Sequence, residues 1–92
     1  MKKRLKAQVF GRVQLVMFRD FVQRNASTLS LVGQVWNELD GSVSVVVEGE
    51  EENLFLLLKK LHKGSVLSRV DSVEVEWSDA TGEFQDFGIA CM

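Results

Sequence analysis

Two segments of this chain have helical spacing of apolar residues, and segments that alternate with period two separate and flank them. Alternation is typical of half-buried strands, whereas helical spacing gives an apolar stripe along one side of a helix. The order is strand, helix, strand, strand, helix, strand, then a short terminal strand. Two helices are too few to cover both faces of one sheet, so both should lie on the same face. The sequence predicts an α+β sandwich, a ferredoxin-like βαββαβ antiparallel sheet with two helices on one face.

The predicted strands cover residues 4–10, 32–37, 42–48 and 69–77, with a last strand marked by Phe87, Ile89 and Cys91, and the predicted helices cover 18–30 and 50–63. Asp40-Gly41 predicts a hairpin between the second and third strands. In 32–37, either Val35 faces inward, or Val32 and Trp36 do. In 69–77 we expect Val73, Val75 and Trp77 to face inward.

Length and charge limit the classes of function. Ninety-two residues fit one domain, 1–92. The net charge of −2 disfavours nucleic-acid binding, which needs a basic surface. Residues 42–48 and the segment from Leu5 to Val9 also contain none of the stacking aromatics that RNA-recognition modules of this topology use. No run of apolar residues is long enough to span a membrane, and the basic residues at the start are not followed by the apolar region of a signal peptide. We expect a cytoplasmic monomer.

A metal site is not expected, because one cysteine, Cys91, and one histidine, His62, cannot form a Cys/His zinc site. Cys91 is read as a small apolar residue of the last strand, and His62 as a solvated residue of the second helix. No cofactor is predicted.

The segment between the first strand and the first helix is a candidate anion site. A loop that runs into a helix N-terminus offers unpaired N–H groups and the positive end of the helix dipole. Arg19 lies in the first turn of that helix, where the dipole disfavours a cation. Either Arg19 binds an anion above the helix end, as a guanidinium fork does with phosphate, or it is an ordinary surface residue. Asn37, at the end of the second strand, either belongs to a site or initiates the turn that follows.

Linked motifs at both places resemble the acylphosphatase family. They read Gly11-Arg12-Val13-Gln14-x-Val16-x-Phe18-Arg19, then Ala26-x-x-Leu29-x-Leu31-x-Gly33-x-Val35-x-Asn37, then Asp40-Gly41-Ser42-Val43 and Glu48-Gly49. The likeness continues more weakly through Arg69-Val70 and Phe87-x-Ile89, so it covers nearly the whole chain. The family has the α/β sandwich that the periodicity predicts.

The resemblance implies hydrolysis of acyl phosphates to carboxylate and inorganic phosphate, without a metal. By the family pattern, Arg19 binds the phosphoryl group and Asn37 orients the attacking water. The phosphate-binding loop then uses backbone N–H groups of Gln14, Leu15, Val16, Met17, Phe18 and Arg19.

One position departs from the family pattern, which has glycine where this chain has Leu15. A left-handed backbone there would cost leucine roughly 1–2 kcal/mol, and the side chain could crowd the phosphate. Three readings stay open: an active hydrolase, a non-catalytic or weakly active phosphate-binding relative, and a domain of a larger carbamoyl-transfer maturation protein.

Overall fold

Residues 1–90 contain two helices and five strands, in the order that the periodicity predicts. A computed structural model describes residues 1–90. Its elements are β1 (Lys2–Arg12), α1 (Phe18–Thr28), β2 (Val32–Asn37), β3 (Val43–Glu50), α2 (Glu51–Lys63), β4 (Arg69–Asp79) and β5 (Phe87–Ile89). None of the helices in this part of the chain is long and apolar enough to cross a membrane.

The strands form one sheet in the order β4-β1-β3-β2-β5. β1 pairs antiparallel with β3 and β4, and β2 pairs antiparallel with β3. Both helices contact the sheet and each other on one face. The predicted ferredoxin-like sandwich is therefore confirmed.

The last strand makes the sheet mixed rather than wholly antiparallel. β5 runs parallel to β2, with Gly33 opposite Phe87 and Val35 opposite Ile89. β4 and β5 lie at opposite edges, so residues 80–86 must cross from one edge of the sheet to the other before β5 begins. The end of the sheet at which the chain arrives sets the direction in which β5 runs. The periodicity of the apolar residues does not predict this direction. Cys91, predicted to belong to this strand, lies outside the described residues.

The core lies between the sheet and the helices. The buried positions of α1 are Phe18, Val22 and Ala26, and those of α2 are Leu54, Leu57 and Leu61. Val35 is fully buried, which decides the open question about 32–37. Val75 faces inward as predicted, since it pairs with Ala7 on the helix-facing side of β4. It is nevertheless 43% exposed, because β4 is an edge strand.

Glu48 holds the segment that crosses the sheet. Its carboxylate is 3% exposed and accepts hydrogen bonds from the N–H groups of Thr81 at 2.9 Å and Gly82 at 3.0 Å. Arg4 forms an ion pair with Glu48 at 3.0 Å and with Glu83 at 2.6 Å. Burial raises the pKa of the Glu48 carboxyl, but the hydrogen bonds from Thr81, Gly82 and Arg4 outweigh it, so this pKa lies below its ordinary value.

The pKa of Glu48 is lower in the folded chain than in the unfolded chain. The Glu48 carboxylate therefore stabilises the fold fully at pH values above the pKa of about 4.3 that a glutamate has in the unfolded chain. This stabilisation is lost as the pH falls through the pKa of Glu48 in the folded chain. We expect the free energy of unfolding, measured by urea denaturation, to fall more steeply below pH of about 4 in the native chain than in Glu48→Gln. At neutral pH the variant should be less stable by about 1–3 kcal/mol, because it loses charge-assisted hydrogen bonds. Parallel acid profiles for the two chains would contradict this role.

Candidate active site

The register of the sheet brings the two predicted site regions together. Val43 of β3 pairs with Val9 of β1 on one side and with Asn37 of β2 on the other. Asn37 and Val9 therefore lie at the same level, about 10 Å apart across one intervening strand. β1 continues three residues beyond Val9 to Arg12, and the loop that follows it leaves the sheet at the same end as Asn37.

Gly11 sets the direction in which the chain leaves β1. The register with β4 shifts between Phe10 and Gly11, as in a β-bulge. The φ of Gly11 is 136°, and a Cβ at this position would collide with the carbonyl oxygen of Arg69. No other residue type fits here, so the first glycine of the motif serves the geometry of the strand.

The loop alternates in backbone handedness before the helix begins. Leu15 has φ 62° and Met17 has φ 59°, both in the left-handed region, whereas Val16 between them has no positive φ. Alternation of this kind turns successive N–H groups toward one side and forms an anion-binding concavity. The left-handed backbone that the family glycine would adopt is thus kept by Leu15.

The N-terminus of α1 is open. Met17 is its N-cap, and no side-chain oxygen caps the first turn. The first backbone bond into the turn comes from the N–H of Phe21 to the carbonyl oxygen of Met17, at 3.1 Å. The N–H groups ahead of Phe21 are the orphan donors of a helix start, and they carry the positive end of the dipole.

A cavity of about 350 Å³ lies at this helix end. Its lining residues are Val13, Leu15, Met17, Phe18, Arg19, Asp20, Asn37 and Ile89. Arg19 and Asn37, singled out separately in the sequence, thus face the same space. Of the other predicted loop residues, Gln14 and Val16 do not line this cavity.

Arg19 supplies an uncommitted positive charge. Its side chain is half-buried, and its guanidinium forms no ion pair or hydrogen bond with residues 1–90. The neighbouring carboxylate of Asp20 is engaged by Arg24, with the guanidinium Nε 3.0 Å from Oδ2. The charge of Arg19 therefore remains available to an anion in the cavity.

Asn37 has a buried oxygen that lacks a hydrogen-bond donor. Its Oδ1 is one of the few buried side-chain atoms in residues 1–90 with no partner. A buried acceptor without a donor costs about 1–3 kcal/mol. This atom is therefore a natural acceptor for a water or ligand hydrogen in the cavity.

Gln14 has a role that the sequence did not reveal. Its Nε2 donates to the carbonyl oxygens of Glu38 at 2.8 Å and Ser42 at 2.9 Å. These two residues flank the turn between β2 and β3, so Gln14 ties the loop to the hairpin that carries Asn37. The motif marked Gln14 only as a loop position, because the approach of the hairpin is a tertiary contact. Ile89 was likewise assigned to a strand, and no sequence signal placed it at the cavity.

The titratable groups near the cavity do not form a metal centre. Within residues 1–90, no three His, Cys, Asp or Glu side chains are grouped so as to hold a metal ion. The polar groups that the cavity offers are an arginine, an amide, an aspartate already paired, and backbone N–H groups.

Comparison with known proteins decides the family. A family model described as Acylphosphatase matches residues 5–89. The chain belongs to the acylphosphatase family. The acylphosphatase of Salinibacter ruber is 43% identical over 88 residues, which cover 96% of this chain and 93% of that relative. The crystal structure of the Bacillus subtilis acylphosphatase matches with a TM-score of 0.92 and 35% identity, covering 96% of this chain and 98% of the other.

The acylphosphatase fold also occurs as part of a longer protein. HypF from T.kodakarensis matches 98% of this chain with a TM-score of 0.85 and 34% identity, but the match covers only 12% of HypF. The resemblance read from the motifs is confirmed at the level of the family, which is a family of enzymes.

Replacing Leu15 by glycine should stabilise the chain. The Leu15 side chain is 100% exposed, so its removal sacrifices little burial. Relief of the strain of a left-handed leucine stabilises the folded chain by roughly 1–2 kcal/mol. Glycine also raises the entropy of the unfolded chain, which destabilises the fold by about 0.5–1 kcal/mol. We expect Leu15→Gly to raise the free energy of unfolding by up to about 1 kcal/mol, measured by urea denaturation.

Leu39 is a matched control, because it is 95% exposed but has no positive φ. Leu39→Gly should destabilise the chain, since only the entropy cost applies there. Equal destabilisation by the two variants would show that Leu15 carries no backbone strain.

Proposed function

We propose that the chain hydrolyses acyl phosphates, with Arg19 and the loop backbone binding the phosphoryl group and Asn37 orienting the attacking water. One juxtaposition supports this assignment above all. Arg19, which is half-buried and has no ion pair within residues 1–90, and Asn37, whose buried Oδ1 lacks a donor there, both belong to the lining of one cavity at the open N-terminus of α1. The first suits a phosphoryl group and the second suits a water molecule.

Binding places the phosphoryl group at the helix end. Its oxygens accept hydrogen bonds from the N–H groups between Leu15 and Arg19, which the alternating backbone turns to one side. The guanidinium of Arg19 donates two parallel hydrogen bonds to a pair of these oxygens. Because these donors are fixed before the substrate arrives, they need little reorganisation as charge spreads over the phosphoryl oxygens.

The water is held on the side of Asn37. Its Oδ1 accepts one hydrogen of the water, which leaves an oxygen lone pair free to point at phosphorus. An amide is not a base at neutral pH, so Asn37 contributes position rather than proton transfer. The water oxygen forms a bond to phosphorus while the bond from phosphorus to the acyl oxygen breaks.

The leaving group explains why so few catalytic side chains are needed. The acyl oxygen departs with the bonding electron pair as a carboxylate, which is stable at neutral pH without a proton. The proton lost by the water passes to a phosphoryl oxygen, giving inorganic phosphate. Positioning and charge stabilisation then suffice, and the proposal includes no metal.

A non-catalytic phosphate binder is the second candidate, and Leu15 is the observation that favours it. Its side chain lines the cavity where the family pattern has glycine. A binder would hold inorganic phosphate but release none from an acyl phosphate. Hydrolysis of benzoyl phosphate therefore distinguishes the two functions.

Arg19 is tested by phosphate release from benzoyl phosphate, with EDTA present throughout. The native chain should turn over under these conditions. Arg19→Ala should lower kcat/KM more than 100-fold, because a charge-assisted pair of hydrogen bonds is worth roughly 1.5–3 kcal/mol per bond. Arg19→Lys should restore little, since a point charge does not reproduce the planar fork.

Arg12 provides the control for this measurement. It belongs to the same motif, but it is exposed and does not line the cavity. Arg12→Ala should retain normal turnover. Near-normal turnover in Arg19→Ala, or activity that EDTA abolishes and Mg²⁺ restores, would overturn the proposed mechanism.

Asn37 is tested by separating turnover from binding. If it orients only the water, Asn37→Ala should lower kcat about 100- to 1,000-fold, as the loss of one positioning group does elsewhere. The inhibition constant for inorganic phosphate should stay within about twofold, because the phosphate donors are intact. Equal losses in kcat and in phosphate affinity, in a variant with an unchanged thermal melt, would mean that Asn37 binds the phosphate itself.

A further inference from the structure

A second cavity lies beside the first, between the start of α1 and the end of α2. Its volume is about 420 Å³, within the range of about 300–1,000 Å³ typical of small-molecule sites. Its apolar wall is formed by Val16, Met17, Phe21, Val66 and Leu67. Val66 is 99% and Leu67 66% exposed, so this part of the wall presents apolar surface to solvent, whereas Val16 and Phe21 also pack against the core.

Met17 borders both cavities. It is one of the residues lining each of them, and its side chain is 71% exposed. A molecule with its phosphoryl group at the N-terminus of α1 would reach the second cavity by extending over Met17. The flexible thioether of methionine adapts readily to the shape of such a group.

The second cavity carries positive charge. Arg24, Lys60 and Lys63 belong to its lining, and no acidic residue does. Neither lysine forms an ion pair with another residue of the described chain, 1–90. Lys60 and Lys63 lie in the last turn of α2, where cations also complement the helix dipole. They share one side of the helix, as the spacing of three residues requires, and this side borders the cavity.

We propose that the second cavity binds the acyl group of the substrate and favours an apolar acyl group whose far end carries an anion, such as a second carboxylate. This inference rests on the proposed function, because it needs the phosphoryl group to occupy the first cavity. The apolar wall selects the body of the acyl group, and the two lysines select its charged end. A short acyl group that stops at Met17 reaches neither.

The test compares KM and kcat for four substrates. Acetyl phosphate is too short to reach the cavity, and benzoyl phosphate reaches only its wall. Para-carboxybenzoyl phosphate and adipoyl monophosphate add an anion, one on a rigid and one on a flexible acyl group. We expect at least one carboxylated substrate to have a lower KM than benzoyl phosphate, with a similar kcat. This advantage should shrink as salt is added, because the lysines are exposed.

Two sets of variants assign the effect to its residues. The double variant Lys60→Ala, Lys63→Ala should raise the KM of the favoured carboxylated substrate by up to about fivefold per lysine, leaving acetyl phosphate unchanged. Lys59→Ala, on the same helix but outside the cavity, should change neither. Leu67→Ser should raise the KM of benzoyl phosphate roughly fourfold, as the loss of one buried methylene would.

The outcomes separate this inference from the function on which it rests. If the native chain hydrolyses none of the four substrates, the proposed function fails. If it hydrolyses acetyl and benzoyl phosphate, but the added carboxylate gives no advantage or the double lysine variant leaves KM unchanged, the function stands and the acyl-group site is wrong.

Discussion

Val43 is paired on both sides, with Val9 in β1 and with Asn37 in β2, and this double register decides where the site lies. It sets the end of β2 level with Val9, three residues before β1 ends at Arg12. A slip of one residue in the pairing of β2 with β3 would turn Asn37 to the opposite face of the sheet. The slip would also turn the buried Val35 away from the core, so core packing protects the register. The position of the cavity thus follows from the burial of the strands whose register places Asn37.

In the proposed function, the cavity binds the phosphoryl group mainly through backbone N–H groups, whose direction is set by the handedness of the loop backbone. Leu15 and Met17 hold left-handed conformations that side chains tolerate poorly, and the open helix end leaves its donors without partners. Both features cost folding free energy, as functional sites commonly do. Gln14 offsets part of that cost by fastening the loop to the neighbouring hairpin. The same tether keeps the loop and Asn37 at a constant separation.

The parts of this structure that could be predicted from the sequence are those set by local rules. The strands and helices followed from the period of the apolar residues, and the hairpin followed from Asp40-Gly41. Arg19 was marked as a candidate because a cation is disfavoured at the start of a helix. The parallel direction of β5, the exposure of Val75 and the contacts of Gln14 depend on which elements become neighbours. Periodicity does not encode these neighbours, and only the family resemblance joined Arg19 to Asn37.

The order of the strands has a consequence for how the chain folds. Among the strands of residues 1–90, only β2 and β3 are joined by a tight hairpin, whereas β1 pairs with β3 and with β4, which begins at Arg69. β1 therefore acquires both partners only after long stretches of chain have closed, and such non-local pairing slows folding. The sequence contains no proline, so peptide-bond isomerisation adds no slow step of its own. The refolding time of this chain should then report on the ordering of its sheet alone.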